Sequence, residues 1–167
     1  YGVAVLNDAK YGYEALGSDL MLTLLRSPLY PDPLADEGEH HFTYSIFPHI
    51  GDWSTANVVA EAFALNSPLI VSTGASRDAL VQVDGLQLEI GTLKRAEDGD
   101  GLILRVYEPN GARGSATLSF TRPFSIIAVN LLEDSIPEPA GVQIIDGTRA
   151  RADFRPFEVK SFRLVAG

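Results

Sequence analysis

The sequence predicts an all-β fold: an antiparallel β-sandwich with one peripheral amphipathic helix near residues 54–65. Three observations predict it. Apolar and polar residues alternate with a period of two over many short segments, turn signals separate those segments, and a single stretch switches to helical spacing.

The strands follow in order. Tyr1–Leu6, Asp19–Leu25, His41–Phe47 and Ala79–Val83 are short and rich in apolar or β-branched residues. Leu86-Gln-Leu-Glu-Ile90 and Ala116-Thr-Leu-Ser-Phe120 alternate strictly, as half-buried strands do. Leu102–Tyr107 and Phe124–Asn130 are denser apolar runs, consistent with burial on both faces, and Arg149–Phe154 is a further strand. Asp84-Gly85, Gly99-Asp100-Gly101, Asn110-Gly111 and Asp146-Gly147 supply the positive φ or Asx chemistry of tight reversals. In the closing strand Phe157 and Val159 share one parity while Phe162 and Leu164 share the other. If both pairs face the core, an extra residue is inserted near Lys160–Ser161, so a β-bulge is predicted there.

The helical stretch is Ser54–Leu65, where Val58, Val59, Ala62 and Phe63 recur three and four apart. Asp52 or Ser54 can cap its start and Pro68 stops it. Two long connections remain, Ser27–Glu39 and Glu133–Gly141, both proline-containing. Loops of that length in a compact domain tend to be functional or interfacial.

Composition narrows the function classes. The chain has 167 residues, 22 acidic against 13 basic, a formal net charge of −9 and no cysteine. That length fits one domain over 1–167 with its own core. The missing cysteine excludes a disulfide scaffold, a thiolate zinc site and a cysteine nucleophile, and it fits a reducing compartment. The acidic balance argues against nucleic acid as a partner. No apolar stretch approaches the roughly 18–20 residues that span a bilayer, so no membrane association is expected. The chain starts at Tyr1 inside a strand, which reads as a piece cut from something longer.

Individual residues yield little chemistry. His40, His41 and His49 fall within ten residues, but Pro48 argues that the strand stops before His49, so a metal site is not expected. Glu97–Gly101 resembles a calcium loop, yet Pro109 occupies the place of the bidentate glutamate; a solvated acidic hairpin fits better. Asp8 follows a strand and precedes Tyr11-Gly-Tyr13; it either closes a hairpin through an Asx-turn or is one of a pair of carboxylates of the kind that glycoside hydrolysis uses. No phosphate-binding loop, dinucleotide fingerprint, nucleophile elbow or zinc-protease motif occurs.

Several stretches taken together resemble the C-terminal β region of glycoside hydrolase family 38 α-mannosidases, in the cytosolic and bacterial branch. They are Gly2–Tyr13, Leu24–Pro28 with Pro31–Pro33, His41–Tyr44 running to Pro48–Trp53, Glu61-Ala62 with Leu65-Asn66 and Pro68-Leu69, Ala96–Glu108, and Pro156–Lys160 with Leu164. They keep one order over nearly the whole chain. The resemblance implies a C-terminal fragment of a larger cytoplasmic enzyme that hydrolyses terminal α-linked mannose with retention. Its nucleophile and its zinc belong to an N-terminal catalytic domain absent from this chain, so the resemblance implies neither a catalytic residue nor a metal ligand here. The implied partners are that catalytic domain and, through it, mannose-containing glycans. The fragment's implied role is to support the catalytic domain and shape the rim of its site. Candidates for the rim or the domain interface are Asn7, Asp8 and Tyr11, together with Asp32, Asp36 and Glu37 in the long loop. An independent carbohydrate-binding module is the alternative, with Tyr11, Tyr13, Tyr44 and Trp53 as the aromatics it would use.

Overall fold

The computed structural model describes residues 1–71, 73–74 and 79–166, and the chain divides into two compact units, Tyr1–Val71 and Ser72–Gly167. The first contains β1 (Gly2–Asn7), β2 (Tyr13–Leu16), β3 (Asp19–Leu22), β4 (Tyr44–His49) and α1 (Val58–Asn66). The second contains β5 (Val81–Gly85), β6 (Glu89–Arg95), β7 (Leu102–Tyr107), β8 (Gly114–Phe120), β9 (Phe124–Val129), β10 (Val142–Asp146), β11 (Arg149–Phe154) and β12 (Val159–Ala166).

The second unit is the predicted antiparallel sandwich. One sheet runs β10-β11-β8-β5 and the other β6-β7-β12-β9. Their inward residues meet in one cluster that includes Leu104, Val106, Leu118, Phe154, Phe162 and Leu164. Alternation makes this possible: Ala116, Leu118 and Phe120 of β8 and Ala150, Ala152 and Phe154 of β11 are all buried, while the residues between them face out. A smaller cluster of Ala96, Ile103 and Val129, with Ile127 packed on it, explains why β7 and β9 read as apolar on both faces.

The first unit is two ribbons and a helix. β1 pairs antiparallel with β4, from Gly2 opposite His49 to Asn7 opposite Tyr44. β2 and β3 form a hairpin turned at Gly17, whose φ is 61°. Among the described residues of this unit Leu6 is the one buried apolar side chain. No helix among the described residues is long and apolar enough to cross a membrane.

Four details differ from the sequence expectations. The predicted bulge near Lys160 is absent, since β12 pairs with β7 in unbroken register from Val159–Tyr107 to Leu164–Leu102. Val159 is instead 51% exposed and Phe157 turns outward at φ 59°. Lys160 takes the inward position, its Nζ bonded to the Ala140 carbonyl at 3.2 Å and 5.7 Å from the centre of the Phe154 ring. A long aliphatic stem can line a core edge with its head still solvated or bonded, so parity counted on apolar residues alone misled. Register shifts fall elsewhere, between Ile90 and Thr92 and between Ile144 and Asp146.

The helix starts later than expected. Asp52 closes a turn ahead of it, accepting the Ser54 amide at 3.0 Å, and α1 begins only at Val58. Val58, Val59, Ala62 and Leu65 are half-buried while Phe63 is exposed, so the amphipathic pattern is realised only in part. Nor does Pro48 end its strand. β4 continues to His49, which a two-stranded ribbon tolerates because its outer edge needs no donor. The alternating run Leu86–Ile90 is not one strand either: residues 86–88 connect β5 to β6, with Leu88 buried in the core.

Candidate functional site

Four of the six candidate side chains, those of Asn7, Asp8, Asp32 and Asp36, make hydrogen bonds that define what they can do. After β1 the chain reverses around Asn7, whose Oδ1 accepts the amides of Ala9, at 3.1 Å, and of Lys10. Its Nδ2 donates to the Tyr13 hydroxyl, which donates in turn to the Val5 carbonyl at 3.3 Å. Asp8 is the next residue and faces the segment leading into β4. Its carboxylate accepts the Thr43 amide at 2.9 and 3.0 Å, and its own amide donates to the Thr43 carbonyl at 3.2 Å. The bond from the Thr43 amide holds the Asp8 carboxyl below its ordinary value of 3.8.

The long loop is held in the same way. Asp36 Oδ2 accepts the amides of Arg26 and Ser27 at 3.2 and 2.6 Å, and Asp32 Oδ1 accepts the Leu34 amide at 3.0 Å. The His40 ring nitrogen Nε2 donates to the Asp36 carbonyl at 3.0 Å. These local bonds are what Asp and Asn side chains offer a loop that has no ladder to join.

These two anchored segments border an open cleft of about 610 Å³ lined by Lys10, Tyr11, Thr23, Arg26, Asp36 and His40, among others. Of the candidates, Tyr11 and Asp36 therefore share one cavity. Asn7 and Asp8 precede its Ala9–Gly12 wall and fix that wall's backbone, while Asp32 and Glu37 lie off it. Tyr11 is 91% exposed, and Lys10 Nζ sits 4.6 Å from the centre of the Phe42 ring.

Lys10, Arg26 and His40 were not singled out as cleft residues by sequence reasoning. Lys10 and Arg26 do lie inside the stretches Gly2–Tyr13 and Leu24–Pro28 that carry the resemblance, which is the signal that could have marked them.

Chemically the cleft is a wall with one carboxylate. Retaining glycoside hydrolysis takes two carboxyl groups about 5 Å apart. Here Asp36 stands alone and its Oδ2 is already engaged by two backbone amides. An exposed aromatic face, two cations and an imidazole can contact a hydroxyl-rich ligand without cleaving it. The other histidines lie elsewhere: His41 pairs with Glu39 at 3.2 Å in solvent, and His49 stacks on Phe47 with ring centres 6.2 Å apart. Among the described residues no group of three or more His, Asp or Glu side chains could hold a metal ion. The acidic hairpin at Glu97–Gly101 is tied down through Asp98, which accepts Arg163 Nη1 at 2.6 Å.

Comparison with known proteins gives matches along most of the chain. A model of the Glycosyl hydrolases family 38 C-terminal domain matches residues 1–34, and a model of the Glycosyl hydrolases family 38 C-terminal beta sandwich domain matches residues 87–162. The chain is 38% identical to "Alpha-mannosidase G" of Dictyostelium discoideum and 37% identical to "Alpha-mannosidase 2C1" of Homo sapiens, in each case over 99% of the chain. It is 32% identical to an "Alpha-mannosidase" of Saccharomyces cerevisiae over 98% of the chain. It spans 16% of the length of the first two relatives and 17% of the third.

Proposed function

The chain belongs to the C-terminal region of glycosyl hydrolase family 38, and we propose that it is a non-catalytic β domain of a larger α-mannosidase, supporting the catalytic domain and shaping the rim of its site. On this reading the parent hydrolyses terminal α-linked mannose with retention, in the cytoplasm. Its catalytic domain and its mannose-containing glycans are this chain's partners. The observation that carries the reading is sequence identity spread over 98–99% of the chain to relatives named α-mannosidases, of which it spans only 16–17%. The lone, engaged carboxylate of the cleft supports a contacting role over a cleaving one. The zinc that the family implies goes with the catalytic domain. The residues described here do not fit it, because no three of their ligating side chains converge.

The test is kinetic and uses the full-length parent. Tyr11→Ala is expected to raise KM for an aryl α-mannoside roughly twofold to tenfold, the span that a lost aromatic contact of about 0.5–1.5 kcal/mol gives, with kcat little changed. Unaltered KM would remove Tyr11 from the rim. Hydrolysis by the 167-residue chain alone would end the non-catalytic reading. The exposure of Tyr11 also favours a second reading, an independent carbohydrate-binding module. Titrating methyl α-mannoside into the chain decides it: saturable amide shifts around Tyr11 and Asp36 would establish a module, and their absence to tens of millimolar would exclude it.

A further inference from the structure

A sheet face that meets water has a recognisable composition in this chain. On the outer face of the β10-β11-β8-β5 sheet, β8 presents Ser115, Thr117 and Ser119, and β11 presents Arg149, Arg151 and Asp153. The ribbon of β1 and β4 is built differently. Its register puts Ala4 and Leu6 with Phe47 on one face, and Val3 and Val5 with Tyr44, Ile46 and Pro48 on the other. The first face is half-buried or buried, α1 packs against β1, and Asn66 Nδ2 donates to the Asn7 carbonyl at 3.1 Å. The second face is largely open: Val3 is 57%, Tyr44 56% and Ile46 65% exposed, while Val5 and the polar Asn7 on the same face are half-buried. It carries no charged side chain.

The geometry points to this face as an interface for an apolar face supplied by the polypeptide outside these 167 residues. The inference rests on the reading above, that the chain is one part of a larger glycosidase. Four observations support it together. A two-stranded ribbon is marginal by itself in water. The unit that contains it has a single buried apolar residue, Leu6, so it lacks the core that would hold the ribbon in shape. Among the described residues no third strand extends the ribbon, although the outward carbonyls of Val5 and Asn7 on β1 accept the Tyr13 hydroxyl and Asn66 Nδ2. Finally, relatives that match the chain along its length are about six times longer, since it spans 16% of them, so there is ample polypeptide to supply the cover. A second copy is the weaker occupant, because it would bring an equally coreless unit to the contact.

The test places p-benzoylphenylalanine at position 44 of the full-length parent, one aromatic replacing another, and at position 3 in a second variant. After irradiation the adducts are mapped by tryptic mass spectrometry. The expected result is an intramolecular crosslink to a peptide outside residues 1–167, with the protein still running as a monomer on a denaturing gel. A covalent dimer would assign the face to a second copy and overturn the inference. An adduct confined to residues 1–167 would also overturn it, as would no adduct at either position, the mark of a face open to water. Activity on an aryl α-mannoside is read from the same preparations. Activity without the crosslink sinks this inference alone, while the crosslink in a protein without mannosidase activity sinks the functional reading alone.

Discussion

Glu108 offers the sharpest test of the physical account. It is fully buried, at the end of β7, in a protein whose other carboxylates mostly reach solvent. Its Oε1 accepts the Asn110 amide at 2.8 Å and its Oε2 the Phe157 amide at 3.0 Å. One carboxylate thus ties the turn after β7 to the turn before β12, across 49 residues of sequence. Burial alone would raise its pKa, but the amides of Phe157, Asn110, Ala112 and Gly111 outweigh it and hold the carboxyl below its ordinary 4.5. Replacement by Gln keeps one acceptor and turns an NH₂ toward the second amide, which leaves one buried donor unpaired at a cost of about 1–3 kcal/mol. Ala strands both amides and costs about twice that. In a unit of this size a loss near 2 kcal/mol lowers Tm by roughly 8–16 °C. Circular dichroism melts at neutral pH give Tm, and amide exchange at Asn110 and Phe157 localises the damage. The sign of the pH effect follows from the depressed pKa: the contribution is complete above 4.5 and fades as pH falls through the lower folded value, so Glu108→Gln and the unmodified chain converge in acid. If Glu108→Gln melts within a degree or two of the unmodified chain at neutral pH, the anchoring argument is wrong.

Two further perturbations separate causes that are often confounded. Gly99 and Gly101 both have positive φ, 81° and 87°, but a Cβ at Gly99 meets nothing within 4 Å while one at Gly101 lands 2.5 Å from the Leu164 carbonyl oxygen. Gly99→Ala should therefore cost only the conformational term of about 1–2 kcal/mol, and Gly101→Ala clearly more; equal costs in urea titrations would refute the steric part. Asp146 is held down to about 2 by the Thr148 hydroxyl and then by Arg149, so its contribution is present above 3.8 and lost as pH falls through about 2. Asp146→Asn should melt lower at neutral pH and match the unmodified chain once the carboxylate is protonated, and a pH-independent gap would mean the turn, not the charge, sets the difference.

Why some of this was legible and some not comes down to where the information sits. A strand with one face in a core writes itself as alternation, so Ala116–Phe120 and Arg149–Phe154 could be read directly, and the density of Leu102–Tyr107 correctly signalled a second small cluster behind the sheet. The same reasoning failed at Phe157 and Val159, because apolar residues that face water look identical in sequence to those that face a core. It failed again at Lys160, which fills an inward position with a methylene stem. The first unit was hardest, for a physical reason. Its apolar residues show no consistent inside, since β1 and β4 are apolar on both faces and only Leu6 is buried. Loop length directed attention to the segment around Asp36, and Asp8 stood out beside a strand end, but which of their oxygens remain available depends on contacts made in three dimensions. The Asp8 carboxylate is taken by an amide 35 residues away, and the Asp36 carboxylate by two amides nine and ten residues back. Tyr11 differs because its contribution is exposure itself. Its side chain stays 91% open beside two anchored segments, whereas the Asp8 and Asp36 carboxylates around it are already engaged in holding the backbone that presents it.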